Sequence, residues 1–214
     1  GQYLEGGMIG SCTNSLMSGF SFHPVKNIAT GEGSVITTND NEIYKQLLRL
    51  RSHGIVKGND PFIKDDLSRT DGCINSWYYE MQQLGYNYRI TDIQCSLGIS
   101  QLKKLPNFVK RRIAITKFYD EKLTIIPHVK IVQNKTREIS GNHLYVALID
   151  YEKVGKSRNQ VYKELREFGI NAHVHYIPIP LQPYYSENYD IPKEDYKYAM
   201  DYYDQAITLP LYPS

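Results

Sequence analysis

The sequence predicts an α/β chain in two parts: alternating strands and helices up to about residue 126, then a small α+β domain over residues 127–214. Three observations predict this organisation. Short β-branched or aromatic runs indicate strands, capping residues mark the starts of helices, and the composition changes near Pro127. With 214 residues, of which 41% are hydrophobic and 22% charged, the chain is long enough for one large domain or two small ones.

The first part begins with two predicted strands. Residues 18–23 alternate around two aromatic side chains, and residues 35–38 are β-branched without exception. Asp40 can cap the helix that follows, because apolar residues recur after it at i, i+4 and i+7. We expect Gly54 to end that helix.

A long loop and two helices are predicted next. Residues 56–75 are polar and rich in Gly, Pro and Asp, which is typical of a functional or mobile loop. Thr91 and Gln94 form a capping-box pattern that opens a helix. Pro106 is expected to be the first residue of a further helix, since proline is well placed at that position.

The second part alternates strands and helices. Ser157 and Gln160 form another capping box, and Gly169 is expected to close the helix that they open. Strands are expected at about 128–132, 143–149 and 171–176, and a last helix at about 194–206.

Charge and composition argue against several classes of partner. Lys and Arg total 25 and Asp and Glu total 23, so the net charge of +2 does not suggest binding to nucleic acid or to an acidic membrane. No run approaches the ~18–20 apolar residues that a membrane span needs. The chain begins at Gly1 without an initiator Met and in mid-pattern, so we expect it to be part of a longer protein.

The cysteines and histidines give little sign of a metal or a disulfide. Cys12, Cys73 and Cys95 are odd in number and form no CxxC pattern, which predicts a reducing, cytoplasmic setting. His173 and His175 alternate on one strand face, a spacing compatible with metal, but no carboxylate or Cys joins them at a ligand spacing. We therefore expect no metal site.

The segment from Ser21 to Lys26 is the most informative for chemistry. A strand delivers a hydroxyl and an amine to the same edge, Pro24 stiffens the turn between them, and glycines follow that let backbone approach a ligand. A lysine that forms a Schiff base must be rigidly held and partly desolvated, so that its amine is neutral often enough to attack. From pattern alone, a solvated lysine without a chemical role remains the alternative.

Several motifs resemble those of the DegT/StrS family of sugar-nucleotide aminotransferases. Residues 21–40 read SFHPVKNIATGEGSVITTND, which is similar to that family's lysine segment. The similarity continues, in the family's order, through RSHGI at 51–55, LGYNYRITDIQ at 84–94, HYIPIPLQPYY at 175–185 and LPLY at 209–212. Within the family, the chain is most similar to the enzymes that aminate UDP-linked 4-keto-6-deoxy amino sugars on the way to pseudaminic acid.

The resemblance implies a fold and a site. The fold would be aspartate-aminotransferase-like, the type I fold of enzymes that use pyridoxal 5′-phosphate (PLP), with residues 1–126 as the C-terminal portion of the large domain and 127–214 as the small domain. Lys26 matches the lysine that carries PLP, and Ser21 a serine that binds its phosphate. Asn87 and Arg89 lie in the segment that reaches the phosphate of the partner subunit, which implies a homodimer with shared sites. The residues His175, Tyr176, Gln182 and Tyr184 fall in the segment that shapes the sugar pocket.

The sequence also departs from the family's pattern. Ser34 stands where the family has the last glycine of a Gly-Glu-Gly-Gly turn, Pro180 where many relatives have a second histidine, and Leu16 where an acidic residue is common. In the family, further residues pair with the pyridinium nitrogen of PLP, stack on its ring and hold much of its phosphate. We expect these residues upstream of Gly1. We therefore expect residues 1–214 alone not to transaminate.

The resemblance leaves three interpretations of what the protein does. The leading expectation is transfer of an amino group, from glutamate, to C4 of a nucleotide-linked keto sugar. A sugar 3-dehydratase on the same fold would have histidine in place of the anchoring lysine, and Lys26 argues against it. The remaining alternative is an inactive remnant of a truncated gene.

Overall fold

The computed structural model describes residues 2, 7–58, 60–132 and 137–213. The chain divides into two compact units, Gln2–Lys103 and Lys104–Ser214. The division falls within a long helix, and the domain boundary near residue 126 stays a prediction. No helix in the described ranges has both the length and the apolar character needed to cross a membrane.

The first unit begins with the predicted pair of strands. β1 (Met17–Ser21) and β2 (Ser34–Thr38) are antiparallel, with Ser21 opposite Ser34. Helix α1 (Asn41–Leu50) follows, and the Asp40 carboxylate accepts hydrogen bonds from the backbone N–H groups of residues 42 and 43, as the sequence predicted. The helix ends at Leu50, and Gly54 lies beyond it with a φ of +69°.

The prediction of an irregular loop over residues 56–75 is wrong. β3 (Ile55–Lys57) pairs with β6 (Tyr79–Met81), and between them lie α2 (Asp65–Ser68) and the hairpin β4 (Arg69–Thr70) and β5 (Cys73–Ile74). These elements are too short to leave a periodic pattern. The Glu80 carboxylate organises the segment, because it accepts hydrogen bonds from the N–H groups of Ile63 and Lys64 and from the side chains of Tyr78 and Gln82.

A single long helix, α3 (Asp92–Leu123), crosses the middle of the sequence. Its predicted capping box is present: Thr91 Oγ1 accepts from Gln94 N–H, and Gln94 Oε1 accepts from Thr91 N–H. The prediction that Pro106 begins a separate helix is wrong, since Pro106 lies inside α3. A proline removes one intrahelical hydrogen bond, and the remaining turns continue on both sides of it.

The second unit is built on a three-stranded antiparallel sheet. Its strands are β7 (Val129–Ile131), β8 (Tyr145–Ile149) and β9 (Ala206–Leu209), in the order β7-β8-β9. The helices are α4 (Tyr151–Val154), α5 (Arg158–Glu167), α6 (Pro183–Asn188) and α7 (Lys197–Gln205), with short 3-10 turns at Ile179–Leu181 and Lys193–Tyr196. Ala147, Ala172 and Ile207 are fully buried, and partly buried side chains of α5 and the sheet pack around them.

One expectation for this unit needs correction, and one strand was not predicted. The capping box of Ser157 and Gln160 is present, but the strand expected at 171–176 is reduced to one bridge, between His173 and Thr208. The last helix is present where it was expected, as the 3-10 turn Lys193–Tyr196 and α7, and β9, which was not predicted, follows it directly. A short strand directly after a helix leaves no turn signal in the sequence, and the prolines after Tyr176 prevent the 171–176 segment from extending along β9.

Candidate functional site

Lys26 lies in the turn that follows β1. Its backbone N–H donates to the carbonyl of His23 (2.9 Å), and the N–H of Thr30 donates to the carbonyl of Phe22 (3.0 Å). The N–H of Phe22 in turn donates to the carbonyl of Gly33 (2.8 Å), which closes the turn onto the start of β2. The Lys26 side chain is half-buried, and among the described residues no hydrogen bond or ion pair reaches its amine. Since no ion pair occupies this amine among the described residues, it is available to a carbonyl group such as that of an aldehyde cofactor.

Ser21 supplies a hydroxyl at the end of β1. Its Oγ accepts a hydrogen bond from the N–H of His23 (3.3 Å), and its side chain is exposed. The hydroxyl hydrogen therefore remains available to an acceptor such as a phosphate oxygen. Ser21 and Lys26 thus occupy one end of the hairpin, as the sequence predicted for strand and turn.

The glycine turn is held by close packing at Gly33. Its φ is +142°, and a Cβ atom there would stand 2.7 Å from Thr30 Oγ1 and 3.0 Å from Ile90 Cδ1. Both the hydroxyl of Thr30 (2.6 Å) and the side-chain amide of Gln94 (2.8 Å) donate to the carbonyl of Glu32. The turn is therefore fixed to the start of α3.

Ser34, which stands where the family has a glycine, occupies a position that does not need the backbone freedom of a glycine. It is the first residue of β2 and pairs in register with Ser21, so its backbone is extended. The residues with positive φ in this turn are Gly31 and Gly33, and both remain glycine.

Asn87 and Arg89 lie on an exposed segment that runs beside the end of α1. The N–H of Tyr88 donates to the carbonyl of Arg51 (2.9 Å), and Asn87 forms an antiparallel bridge with Ser52. The side chains of Asn87 and Arg89 are both exposed. Contact between this segment and the lysine turn is made by Ile90 and Gln94, and a role for Asn87 or Arg89 toward a second subunit stays a prediction.

The predicted sugar-pocket residues lie in the second unit, whereas Lys26, Ser21, Asn87 and Arg89 lie in the first. His175 is the most constrained of them. Its Nδ1 is 2.9 Å from Thr208 Oγ1, and its ring stacks on that of His173 with centroids 5.1 Å apart. Burial, with a smaller contribution from His173, lowers the pKa of His175, which favours the neutral ring.

Tyr176, Gln182 and Tyr184 present polar and aromatic groups to solvent. Tyr176 packs edge-on against the His175 ring at 4.4 Å and is 65% exposed. Gln182 is the residue before α6, and Tyr184 lies in the first turn of that helix with 64% of its surface exposed. Tyr184 packs edge-on against Tyr185 at 5.4 Å and lies 6.4 Å from the ring of Tyr189, so neighbouring rings hold it although most of its surface is exposed.

Thr208, which contacts His175, was not predicted from the sequence. It lies beyond the predicted last helix, although the alternation of apolar and polar residues in Ile207-Thr208-Leu209 is the pattern of a half-buried strand. The stacked pair of His173 and His175 acquires no further metal ligand, since the described residues contain no group of three or more His, Cys, Asp or Glu side chains able to hold an ion.

Comparison with known proteins places this arrangement in a family. The profile described as the DegT/DnrJ/EryC1/StrS aminotransferase family matches residues 1–214. The UDP-4-amino-4,6-dideoxy-N-acetyl-β-L-altrosamine transaminase of Campylobacter jejuni is 35% identical over 178 residues, which cover 83% of this chain and 42% of that protein.

Solved structures show the same similarity. Helicobacter pylori PseC, described as an aminotransferase involved in the biosynthesis of pseudoaminic acid, superposes with a TM-score of 0.76 at 30% identity, over 94% of this chain and 49% of that chain. The PLP form of the putative sugar aminotransferase Spr1654 of Streptococcus pneumoniae superposes with a TM-score of 0.75 at 31% identity, over 94% and 48% of the two chains.

The chain spans about half the length of the curated relatives that it matches. The similarity nevertheless extends over nearly all of its own residues, in sequence and in structure. The fold class and the resemblance that the motifs predicted are therefore confirmed: the chain belongs to the DegT/DnrJ/EryC1/StrS aminotransferase family.

Proposed function

We propose that the full-length protein containing this chain transfers an amino group, from glutamate, to the C4 keto group of a nucleotide-linked 4-keto-6-deoxy sugar, with PLP as cofactor. The observation that carries the proposal is the half-buried amine of Lys26, which has no ion-pair partner among the described residues. It lies in the SFHPVK segment, whose sequence resembles the lysine segment of the family. The relatives named as altrosamine transaminase and PseC support pseudaminic acid or a related surface glycan as the end product.

The residues of the lysine turn fit the cofactor. Lys26 would hold PLP covalently through Nζ, and the hydroxyl of Ser21 would donate to its phosphate. Asn87 and Arg89, which are exposed, would reach the phosphate bound by a second subunit. When bound, PLP supplies an electron sink for the carbanion at the α-carbon of the amino donor.

Lys26 has a second task when its amine is free. Nζ accepts the proton that leaves the α-carbon of the amino donor and later returns a proton to the carbon that receives the new amine. Proton transfer by Nζ requires an amine that is rigidly held and does not form an ion pair. The hydrogen bonds from Lys26 N–H to His23 and from Thr30 N–H to Phe22 fix the backbone of the turn that carries it.

Four residues of the HYIPIPLQPYY motif would supply the sugar contacts. His175, Tyr176 and Gln182 offer hydrogen-bonding groups, and Tyr184 offers an aromatic face on which the apolar side of a sugar or base can stack. Because these groups are exposed or half-buried, they remain available to a ligand. Such a set of groups suits a hydroxylated ring that carries a nucleotide.

We also propose a homodimer with two-fold symmetry whose interface includes residues 84–100. The start of α3 exposes apolar side chains that a second copy would cover: Ile93 is 84% exposed, and Leu97 and Ile99 are 43% and 59% exposed. The cysteines Cys12, Cys73 and Cys95 are free thiols, which fits a reducing, cytoplasmic compartment.

The test of the function compares amino acceptors. The purified full-length protein is incubated with PLP and glutamate, and 2-oxoglutarate is measured with a UDP-linked 4-keto-6-deoxy sugar or with a simple keto acid. We expect sustained turnover with the nucleotide sugar and much slower turnover with the keto acid. Equal rates would contradict the substrate class, and activity with a different keto sugar nucleotide would favour another sugar aminotransferase of the family.

A further inference from the structure

Thr208 is held by backbone pairing on one side and by the sheet on the other. Its N–H donates to the carbonyl of His173 (2.7 Å), and its carbonyl accepts from the N–H of His173 (2.9 Å). In the sheet it lies opposite Val146 of β8. Thr208 is only 4% exposed, so its side chain has little contact with water.

The side chain of Thr208 lies on the same face as the two histidine rings. Residues two apart on an extended segment point to the same side, so His175 lies diagonally across from Thr208, whereas His173 lies directly opposite it. Thr208 Oγ1 is 2.9 Å from His175 Nδ1. Within the described ranges, Oγ1 has no second hydrogen-bond partner and Nε2 of His175 has none at all.

These contacts favour one tautomer of the His175 imidazole ring. A buried hydroxyl needs an acceptor for its hydrogen, and leaving it without one is unfavourable. Nδ1 of His175 is the acceptor within reach of Thr208 Oγ1, so the hydroxyl donates and Nδ1 uses its lone pair. The single hydrogen of the neutral imidazole then resides on Nε2.

We infer that Thr208 is a positioning residue that fixes His175 as an Nε2–H donor for an oxygen of the substrate. The inference rests on the proposed function for the identity of the ligand, which would be a hydroxyl, carbonyl or phosphate oxygen of the nucleotide sugar. The lowered pKa of His175, caused by burial and by His173, agrees with a neutral ring. Thr208 itself does not touch the substrate and acts through the ring that it orients.

The first experiment reads the tautomer directly. The full-length protein is labelled with ¹⁵N-histidine, and the ring signals of His175 are assigned with a His175→Gln variant. We expect the spectrum of a neutral ring protonated at Nε2, and loss of that single tautomer in Thr208→Val, which keeps the β-branched shape without the hydroxyl. A ring protonated at Nδ1, or a Thr208→Val spectrum identical to that of the unaltered protein, would overturn the inference.

The second experiment separates the two half-reactions. In the first half-reaction, glutamate converts the PLP form of the protein. In the second, the keto sugar nucleotide converts the pyridoxamine phosphate form. Absorbance follows each conversion. We expect Thr208→Val to raise the KM for the nucleotide sugar about three- to tenfold, the loss of one hydrogen bond, with the glutamate half-reaction unchanged. Thr208→Ser, which retains the hydroxyl, should stay within about twofold of the unaltered protein.

The outcomes distinguish the inference from the proposed function. An equal loss in both half-reactions, or equal KM values for the Val and Ser variants, contradicts the positioning role. If no keto sugar nucleotide is accepted, the proposed function fails, while the tautomer measured by ¹⁵N spectroscopy still decides whether Thr208 fixes the ring.

Discussion

Gly85 lies in direct backbone contact with Gly54. A Cβ atom at Gly85 would stand 2.3 Å from the nitrogen of Gly54 and 2.7 Å from the carbonyl oxygen of Leu50. Gly54 also has a left-handed φ of +69°, which a side chain rarely adopts. Gly54 belongs to the RSHGI motif and Gly85 to the LGYNYRITDIQ motif. These two motifs therefore meet at a point where neither backbone can accommodate a side chain.

Gly85→Ala is expected to displace the segment that carries Asn87 and Arg89. Backbone atoms cannot move aside as a flexible side chain can, so we expect the free energy of unfolding to fall by about 1–3 kcal/mol. Chemical denaturation of the full-length protein measures the change. Gly19→Ala is the matched control, because Gly19 has no heavy atom within 4 Å of an added Cβ. Equal stability of the two variants would contradict the packing described.

Lys26 is expected to be the residue labelled when the holoenzyme is reduced with borohydride. Reduction converts a carbon–nitrogen double bond to PLP into a stable amine only at the lysine that forms it. Peptide mapping should locate the label on Lys26, and Lys26→Ala should lose both the label and amino transfer. Lys45→Ala, at an exposed lysine paired with Glu42, should retain both. A label on another lysine would refute the assignment.

Glu80 is expected to make the stability of its segment depend on acid pH. Burial alone would raise the pKa of Glu80, but hydrogen bonds from Ile63, Gln82, Tyr78 and Lys64 outweigh it and lower the pKa to about 2. A lowered pKa means that the contribution to stability is complete above the unfolded-state value of about 4.3 and is lost as the pH falls toward 2.

Glu80→Gln should therefore be less stable than the unaltered protein at pH 7, and the difference should shrink between about pH 4.5 and pH 2. Thermal unfolding at a series of pH values measures this. Glu187→Gln, at an exposed glutamate of α6, is the control for the same substitution at a surface carboxylate. A difference that does not change with pH would exclude the charge of Glu80 as its cause.

Asp120→Asn is expected to destabilise the second unit strongly. The Asp120 carboxylate accepts two hydrogen bonds from Arg137 (3.2 Å each) and one from the hydroxyl of Tyr145 (2.8 Å), and the Arg137 side chain is only 4% exposed. Removing the negative charge leaves a buried guanidinium without a counter-ion, a change that costs about 3–5 kcal/mol. Urea unfolding measures the loss. Glu138→Gln, in the exposed pair with Lys117, should change little.

Ile93→Glu is expected to prevent formation of the proposed dimer. Ile93 is 84% exposed at the start of α3, and a carboxylate placed in an apolar interface would lose its hydration without gaining a partner. Light scattering after size-exclusion chromatography should show a dimer for the unaltered full-length protein and a monomer for the variant. Ile125→Glu, at an isoleucine that is 79% exposed and outside the 84–100 segment, should remain dimeric. A dimeric Ile93→Glu protein would show that the interface lies elsewhere.

Local signals predicted the parts of the fold that depend on neighbouring residues. The cap at Asp40 and the capping boxes at Thr91 and Ser157 follow from the sequence because each is satisfied within three residues. β1 and β2 were predicted for a similar reason, since residues 18–23 alternate around two aromatic side chains and residues 35–38 are all β-branched. The turn of Lys26 was predicted because its glycines and Pro24 are local as well.

Contacts between residues far apart in sequence could not be predicted in the same way. Glu80 holds residues 63 and 64 through hydrogen bonds across 17 and 16 residues, and such distant contacts leave no regular pattern in the sequence of the 56–75 segment. Thr208 meets His175 across 33 residues, and no spacing rule connects them. The family motifs indicated which residues belong to the candidate site, whereas the tautomer of His175 depends on a contact that only the structure reveals.

Pro106 gives helix α3 an unequal resistance to hydrogen exchange along its length. Proline has no N–H to donate to the carbonyl of Leu102 four residues earlier, so one link in the chain of helical hydrogen bonds is missing inside an element of 32 residues. Leu102 is 57% exposed, so this part of the helix is open to solvent. Local opening starts where hydrogen bonds are fewest, so deuterium should enter α3 on both sides of Pro106 sooner than near Thr116, which is fully buried.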